Sequence, residues 1–241
     1  MDRFKKLNTK DILELFKYKY FTKDFRIIGN SKQQSKTLEI QGAHFIVDKP
    51  WIIREPNYDY AQREINWYMS MSLNVNDIEG TTPKMWLQCA TGAGNINSNY
   101  GWCIFSADNG LQYAHCIAKL VDDPHTREAC MIYNRPSMQE EYRKDGMHDF
   151  MCTYSVQCFL NDVDNDNMTL AYHVFMRSND AVFGFNNDAL WHQFVQKKLA
   201  SDLESHLNKR ISCEPIVWNA GSLHIYERHF NYLLDSDTQK Q

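Results

Sequence analysis

The chain is predicted to fold as a single α+β domain over residues 1–241, a mixed β-sheet flanked by helices, and three observations predict it. Segments with period-two alternation and segments with one apolar helical face occur together without strict β-α-β order. With 241 residues, 43% hydrophobic and 23% charged, the composition is that of a globule able to build one large core. No repeat, low-complexity tract or linker divides it.

The elements follow in order. Asn8 and Thr9 can cap a helix carrying Ile12, Leu13, Phe16 and Tyr20 on one face. Leu38 and Ile40, then Phe45 and Val47, alternate as strand. Residues 60–73 read as a mostly buried helix with Ile65, Trp67, Tyr68, Met71 and Leu73, and the turn-rich TGAGNINSN at 91–99 precedes a helix over 108–120. Cys152, Tyr154, Val156, Cys158 and Leu160 share one strand face, and Leu170, Tyr172, Val174 and Met176 share another. The polar DVDNDN between them is a hairpin loop. Residues 188–207 form an amphipathic helix with Trp191, Phe194, Val195, Leu199, Leu203 and Leu207. Ile216–Trp218 and Leu223–Tyr226 read as strands flanking a turn at Ala220-Gly221.

Several function classes are disfavoured. The net charge is -4 and no run of Lys and Arg offers a track for a nucleic-acid backbone, although a few Arg residues suffice for a small anion. The seven Cys (89, 103, 116, 130, 152, 158, 213) are odd in number and lack C-x-x-C spacing, which argues against a disulfide framework or zinc ribbon and for a reducing cytoplasm. The N-terminus lacks a signal-peptide core, and no apolar run approaches the roughly 20 residues that span a bilayer. No metal is expected. DVDNDN has Asn167 where a calcium loop needs Gly and His173 where it needs Glu, and no H-E-x-x-H occurs. Cys152 reads either as core packing or as a nucleophile. The second reading needs a neighbour that stabilises the thiolate, and Arg177, closing the next strand, could supply it.

Taken together, DFMCTYSVQCFL, FMRSNDAVFGFNND and WNAGSLHIYERHF resemble the core motifs of thymidylate synthases. In that family a catalytic Cys is followed five residues on by Gln, as Cys152 is by Gln157. Arg-Ser-x-Asp leading to Gly corresponds to Arg177, Ser178, Asp180 and Gly184, and Gly-x-x-His-Ile-Tyr to Gly221, His224 and Tyr226. REINWY is similar to the Glu-bearing helix, giving Glu64, and NINSNYGW to the active-site tyrosine segment, giving Tyr100. Order and spacing hold over residues 35–230.

Two departures stand out. The family's uracil-reading Asn is Asp188 here, and its Pro-Cys-His is Met151-Cys152-Thr153. Both resemble the branch of the family, known from T-even-type phages, that hydroxymethylates dCMP. Cytosine offers an N4 donor and a bare N3 acceptor, which a protonated carboxyl can meet with one acceptor and one donor.

The resemblance implies a thymidylate synthase-like fold dimerising through its sheet, with dCMP as substrate and 5,10-methylenetetrahydrofolate as co-substrate. It implies Cys152 as nucleophile, Glu64 ordering water, Tyr100 assisting proton removal and Asp188 reading the base. Arg177 and Ser178 would bind substrate, His224 and Tyr226 the 3′-OH, Asp180 the pterin, and Trp86 would stack. The family's cross-subunit Arg-Arg pair is Arg127-Glu128 here, so Lys32 or Lys36, in the loop before the first strand, is expected to compensate. The implied setting is a host bacterial cytoplasm, with docking to other nucleotide-synthesis enzymes left open. The rivals are the same fold acting on dUMP and an inactive nucleotide-binding scaffold.

Overall fold

A computed structural model describes residues 6–30 and 33–235. Helix α1 (Thr9–Phe21) begins where Asn8 accepts from the Lys10 and Asp11 amides while Asp11 bonds back to the Asn8 amide, a reciprocal cap. Ile12 and Phe16 are its buried apolar face. Strand β1 (Arg26–Asn30) pairs antiparallel with β2 (Gln33–Val47). Helix α2 (Tyr58–Ser70) stops at Met71, which turns left-handed, so Met71 and Leu73 fall outside the helix expected over 60–73. Short helices α3 (Lys84–Cys89) and α4 (Tyr100–Phe105) follow. The helix expected over 108–120 is a 3₁₀ turn, Ala107–Asn109, and then α5 (Gln112–Asp122). After β3 (Cys130–Ile132) and α6 (Met138–Glu141) come β4 (Thr153–Asp162), β5 (Asn167–Asp180), α7 (Gly184–Leu207), β6 (Arg210–Cys213), β7 (Ile216–Tyr226) and α8 (Phe230–Asp235).

The strands hydrogen-bond in the order β1-β2-β7-β5-β4-β3; β6 is parallel to β5, whereas β1–β2, β2–β7 and β3–β4 are antiparallel, so the sheet is mixed as expected. The loop DVDNDN does join β4 to β5, closed by the Asp164 carboxylate accepting from the Asp166 and Asn167 amides.

Backbone contacts gather the chain into two compact units. The first comprises residues 1–56, 174–193 and 215–241. Its core holds Phe45, Phe185 and Trp218, with ring centroids 5.7 and 5.1 Å apart along that series. The second comprises residues 57–173 and 194–214. In it Trp67, Tyr68, Tyr100 and Tyr133 form a run of ring contacts at 5.2 to 5.3 Å.

Within the first unit the turn expected at Ala220-Gly221 does not exist: β7 runs straight through it. Gln41 faces Ser222 and Ala43 faces Ala220, so Gly42 and Gly221 stand opposite each other. Gly42 adopts φ +65°, and a Cβ on Gly221 would lie 3.0 Å from the Arg177 carbonyl oxygen. Burial changes phase here in all three strands. In β2 it passes from Leu38 to Ala43, Phe45 and Val47, and in β7 from Ile216, Trp218 and Ala220 to Leu223 and Ile225. In β5 it passes from Val174 and Met176 to Asn179. The sequence segments 177–180 and 222–226 lie just past the change.

In the second unit α2 and α4 meet through their backbones, since a Cβ on Gly101 would sit 1.8 Å from the Tyr68 carbonyl oxygen. Gly101→Ala should therefore cost about 2–3 kcal/mol, seen as a fall in Tm of roughly 4–12 °C. Gly92→Ala, with nothing within 4 Å of the added Cβ, is the control, expected to shift stability by less than about 0.5 kcal/mol. Equal melting curves for the two variants would refute the close approach.

Candidate active site

The first unit brings together Asp180, Asp188, His224 and Tyr226. The Asp180 carboxylate accepts from the Val182 amide at 3.0 Å, and the Ala181 amide donates to the His224 carbonyl at 2.8 Å, fastening the end of β5 to β7. Burial raises the Asp180 pKa, against the Val182 amide and the Arg228 charge. Helix α7 begins at Gly184, four residues before the expected start, so Asp188 lies in its second turn and not at its tip. A Cβ on Gly184 would touch the Asp180 Cβ at 3.5 Å and the Asn179 amide at 3.7 Å, which shows how tightly this turn is folded. Asn179, 3% exposed, donates from Nδ2 to Asp188 Oδ2 at 2.7 Å.

His224 is buried on β7, with Nδ1 3.4 Å from the Ser222 hydroxyl, which donates to Glu39 at 2.6 Å. Arg26 pairs with the other oxygen of Glu39. Desolvation lowers the His224 pKa below 6.5, Arg177 and Arg228 lower it further, and Glu39 opposes them. The imidazole is therefore neutral near pH 7. The Tyr226 ring meets it edge-on at 4.8 Å and carries Arg228 4.4 Å from its centroid. Lys36 is not in a loop: it lies on β2 opposite Ile27, ion-paired at 3.8 Å with Glu227. Lys32 lies outside the described residues.

The second unit holds Cys152, Glu64, Trp86, Tyr100 and Arg127. Cys152 does not share a strand face with Tyr154. It is half-buried one residue before β4, and Tyr154 is 44% exposed, so the regular burial begins only at Val156. The Cys152 thiol lies 3.9 Å from the Phe150 carbonyl. Three residues upstream, buried Asp149 accepts from the Asn97 and Ser98 amides at 2.7 and 2.8 Å and from the Ser98 hydroxyl at 2.5 Å. Burial raises its pKa against these bonds. Asn99 then caps α4 through the Trp102 amide at 2.8 Å, so the segment leading to Cys152 and the one presenting Tyr100 share one anchor.

Glu64, 4% exposed on α2, accepts from Tyr60 Oη and from Trp86 Nε1, the latter at 2.9 Å. Trp86 Nε1 is also 3.0 Å from Tyr60 Oη. Burial raises the Glu64 pKa, and the two donors pull it back only in part. The Trp86 indole is thus held by its polar edge, with Trp67 against it at 5.2 Å. Arg127 is exposed, its carbonyl accepting from Gln157 Nε2 at 2.9 Å, while Glu128 pairs with Lys119 at 3.3 Å.

Sequence reasoning missed Tyr60, Asn179, Asp149 and the Glu39–Ser222 pair. The i, i+4 spacing of Tyr60 and Glu64 on a helix was a usable signal. Nothing local announces Asp149, whose partners lie 51 and 52 residues away.

The comparisons with known proteins agree with one another. A family model described as thymidylate synthase matches residues 51–240. The chain is 50% identical over 214 residues to the deoxycytidylate 5-hydroxymethyltransferases of Enterobacteria phages T4 and T6, covering 88% of this chain and 83% of each relative. It is 23% identical over 176 residues to the thymidylate synthase of Francisella philomiragia subsp. philomiragia, covering 69% of this chain and 60% of that one. The solved structure of thermostable thymidylate synthase A from Bacillus subtilis superposes with a TM-score of 0.67 at 18% identity, covering 97% of this chain and 85% of the other. Among the described residues no helix is long and apolar enough to cross a membrane.

The electrostatics of His224 can be tested directly. Its imidazole should titrate below 6.5 by NMR. Arg228→Gln should move the midpoint up by removing a nearby cation, and Glu39→Gln should move it down by removing an anion. Shifts of the opposite sign would contradict the charge arrangement.

Proposed function

The chain belongs to the thymidylate synthase family, and we propose that it hydroxymethylates dCMP at C5, using 5,10-methylenetetrahydrofolate and water and releasing 5-hydroxymethyl-dCMP and tetrahydrofolate. The observation that carries the reading is the 50% identity with the phage deoxycytidylate 5-hydroxymethyltransferases over 88% of the chain. It is supported at the point of base choice by Asp188, where an acid stands beside a buried Asn179 amide.

Cys152 as thiolate adds to C6 of the cytosine ring, which turns C5 into a carbon nucleophile. The folate supplies the one-carbon unit to C5. Every other task falls to side chains of this chain. Arg177 and Ser178 bind the nucleotide. His224 and Tyr226 hold the deoxyribose 3′-OH, and the neutral His224 can donate or accept there. Asp188 accepts from N4 and, protonated, donates to N3 as negative charge grows during attack. Tyr100 assists loss of the C5 proton, and Glu64 orders the water and takes its proton. Asp180 fits the N–H donors of a pterin, because a half-buried carboxylate that accepts from the Val182 and Phe183 amides, with the Arg228 charge nearby, still has acceptor capacity left. Trp86 offers a ring to stack on.

The working form is a homodimer in the cytoplasm of a bacterial host, joined through the sheet, with Arg127 of the partner subunit completing each phosphate site. The outward face of the β3–β4 pair supports this: Cys130 and Ile132 are exposed there, and Gln157 ties the Arg127 loop to the same strands. The ion pair with Lys119 offsets the Glu128 charge that would oppose a phosphate. Lys36, already paired with Glu227, is a weaker substitute for the missing Arg.

Two outcomes test the reading. Asp188→Asn should shift kcat/KM from dCMP toward dUMP, because the new amide can donate to O4 and accept from N3–H. The loss on dCMP is expected at about 2–4 kcal/mol, or roughly 30- to 1000-fold. A ratio of the two kcat/KM values that moves by less than about tenfold would remove Asp188 as base reader. Separately, Cys152→Ser should bind dCMP yet retain under about 1% of turnover. Mixing it with inactive Arg127→Ala subunits should restore activity in the hybrid dimer. No recovery after verified subunit exchange would argue against a shared site.

A further inference from the structure

Among the described residues Glu64 has two hydrogen-bond donors, and both end on the same oxygen. Tyr60 Oη and Trp86 Nε1 donate to Oε1, and among those residues no bond to Oε2 accompanies them. Tyr60 sits four residues before Glu64 on α2, so one helical turn brings phenol and carboxyl together. The outer side of the Tyr60 ring carries the Arg63 guanidinium at 5.4 Å, whose Nη1 donates to the Glu79 carbonyl. Arg63 therefore braces Tyr60 without bonding to Glu64. The bond from Trp86 to Tyr60 Oη, at 3.0 Å, closes the triangle.

A carboxylate with one oxygen held by two donors keeps its other oxygen as the open base. From this geometry, resting on the hydroxymethylation reading above, we propose that Tyr60 is a positioning residue that reserves Glu64 Oε2 for the proton of the attacking water.

The step balances. Water oxygen bonds to the exocyclic methylene carbon on C5, and its proton passes to Glu64 Oε2. The electron pair of the exocyclic double bond moves into the ring, then returns to form C5=C6 as the Cys152 thiolate leaves C6. Glu64 later loses its proton to solvent. Burial, which raises the Glu64 pKa, suits it to this task, because a base poised nearer neutrality accepts protons more readily than an ordinary carboxylate. Tyr60 counteracts part of that rise, so its hydroxyl sets how much of Glu64 is ionised as well as which oxygen is open.

The experiment compares wild type, Tyr60→Phe and a protein with 3-fluorotyrosine at position 60, whose phenol is the more acidic donor. The readouts are 5-hydroxymethyl-dCMP formation against pH, KM for dCMP, and melting temperature. Tyr60→Phe should lower kcat about tenfold with KM within about twofold, and should move the acid limb of kcat to higher pH. Fluorotyrosine should move the same limb to lower pH. Opposite displacements with similar melting curves support the inference, since a packing defect would not change sign with the acidity of the phenol. An unmoved limb in both variants, displacement in one direction for both, or loss of kcat that tracks loss of folding would overturn it. Glu64→Gln should abolish hydroxymethylation, and retained turnover would also overturn it. If wild type forms no 5-hydroxymethyl-dCMP at all, the hydroxymethylation reading itself fails, and that result is distinct from an active wild type with an indifferent Tyr60.

Discussion

The close approach of the β7 backbone at Gly221 to the Arg177 carbonyl organises the first unit. A side chain there would push β7 away from β5, and Gly42 on β2 takes a left-handed turn at the same level. Three strands therefore shift their inward and outward faces together. Before the shift they present a conventional apolar face, with Trp218 and Phe45 fully buried. After it, Asn179 and His224 turn polar groups into buried surroundings. The first unit's strand-borne candidates follow the shift because past it these three strands turn polar side chains inward.

Those polar groups sit at a cost that has a definite sign. Burial raises the pKa of Glu64, Asp149 and Asp180. Such a group contributes its stability fully below its unfolded pKa and loses it as pH rises through the folded value. Keeping these three acids ionised at neutral pH thus costs folding free energy. Glu39 runs the other way: burial would raise it, but Ser222 and Arg26 outweigh that and lower it. Its contribution is present above its unfolded pKa and fades as pH falls through the folded one. The candidate base Glu64 is drawn from the costly set, as expected where an acid is tuned for proton transfer.

Much of this was legible in the chain. The Asn8 cap, the DVDNDN hairpin, the mixed sheet and the family motifs could all be read, because caps, turns and periodicity are local properties. The misreadings share a cause. Ala220-Gly221 looks like a turn because Gly usually breaks strands, yet here Gly is demanded by a neighbouring backbone. Helix α7 was expected to start at Asp188, but the tight turn closed over Gly184 starts it earlier. Cys152 was expected on a strand face, but it precedes β4, in a segment fastened through Asp149.

The sequence by itself determined the kinds of element, their order, the family, and which residue types stand at Cys152, Glu64, Arg177, Asp188 and His224. Tertiary structure decided which atoms of those residues meet. Trp86 reaches Glu64 from 22 residues away, and Asp149 holds Ser98 from 51. Asn179 selects one oxygen of Asp188 because the chain turns tightly between them, with Gly184 at the bend. Periodicity and capping are written in neighbouring residues, whereas the choice of hydrogen-bond partner depends on how closely distant backbones approach, and that distance is set by packing.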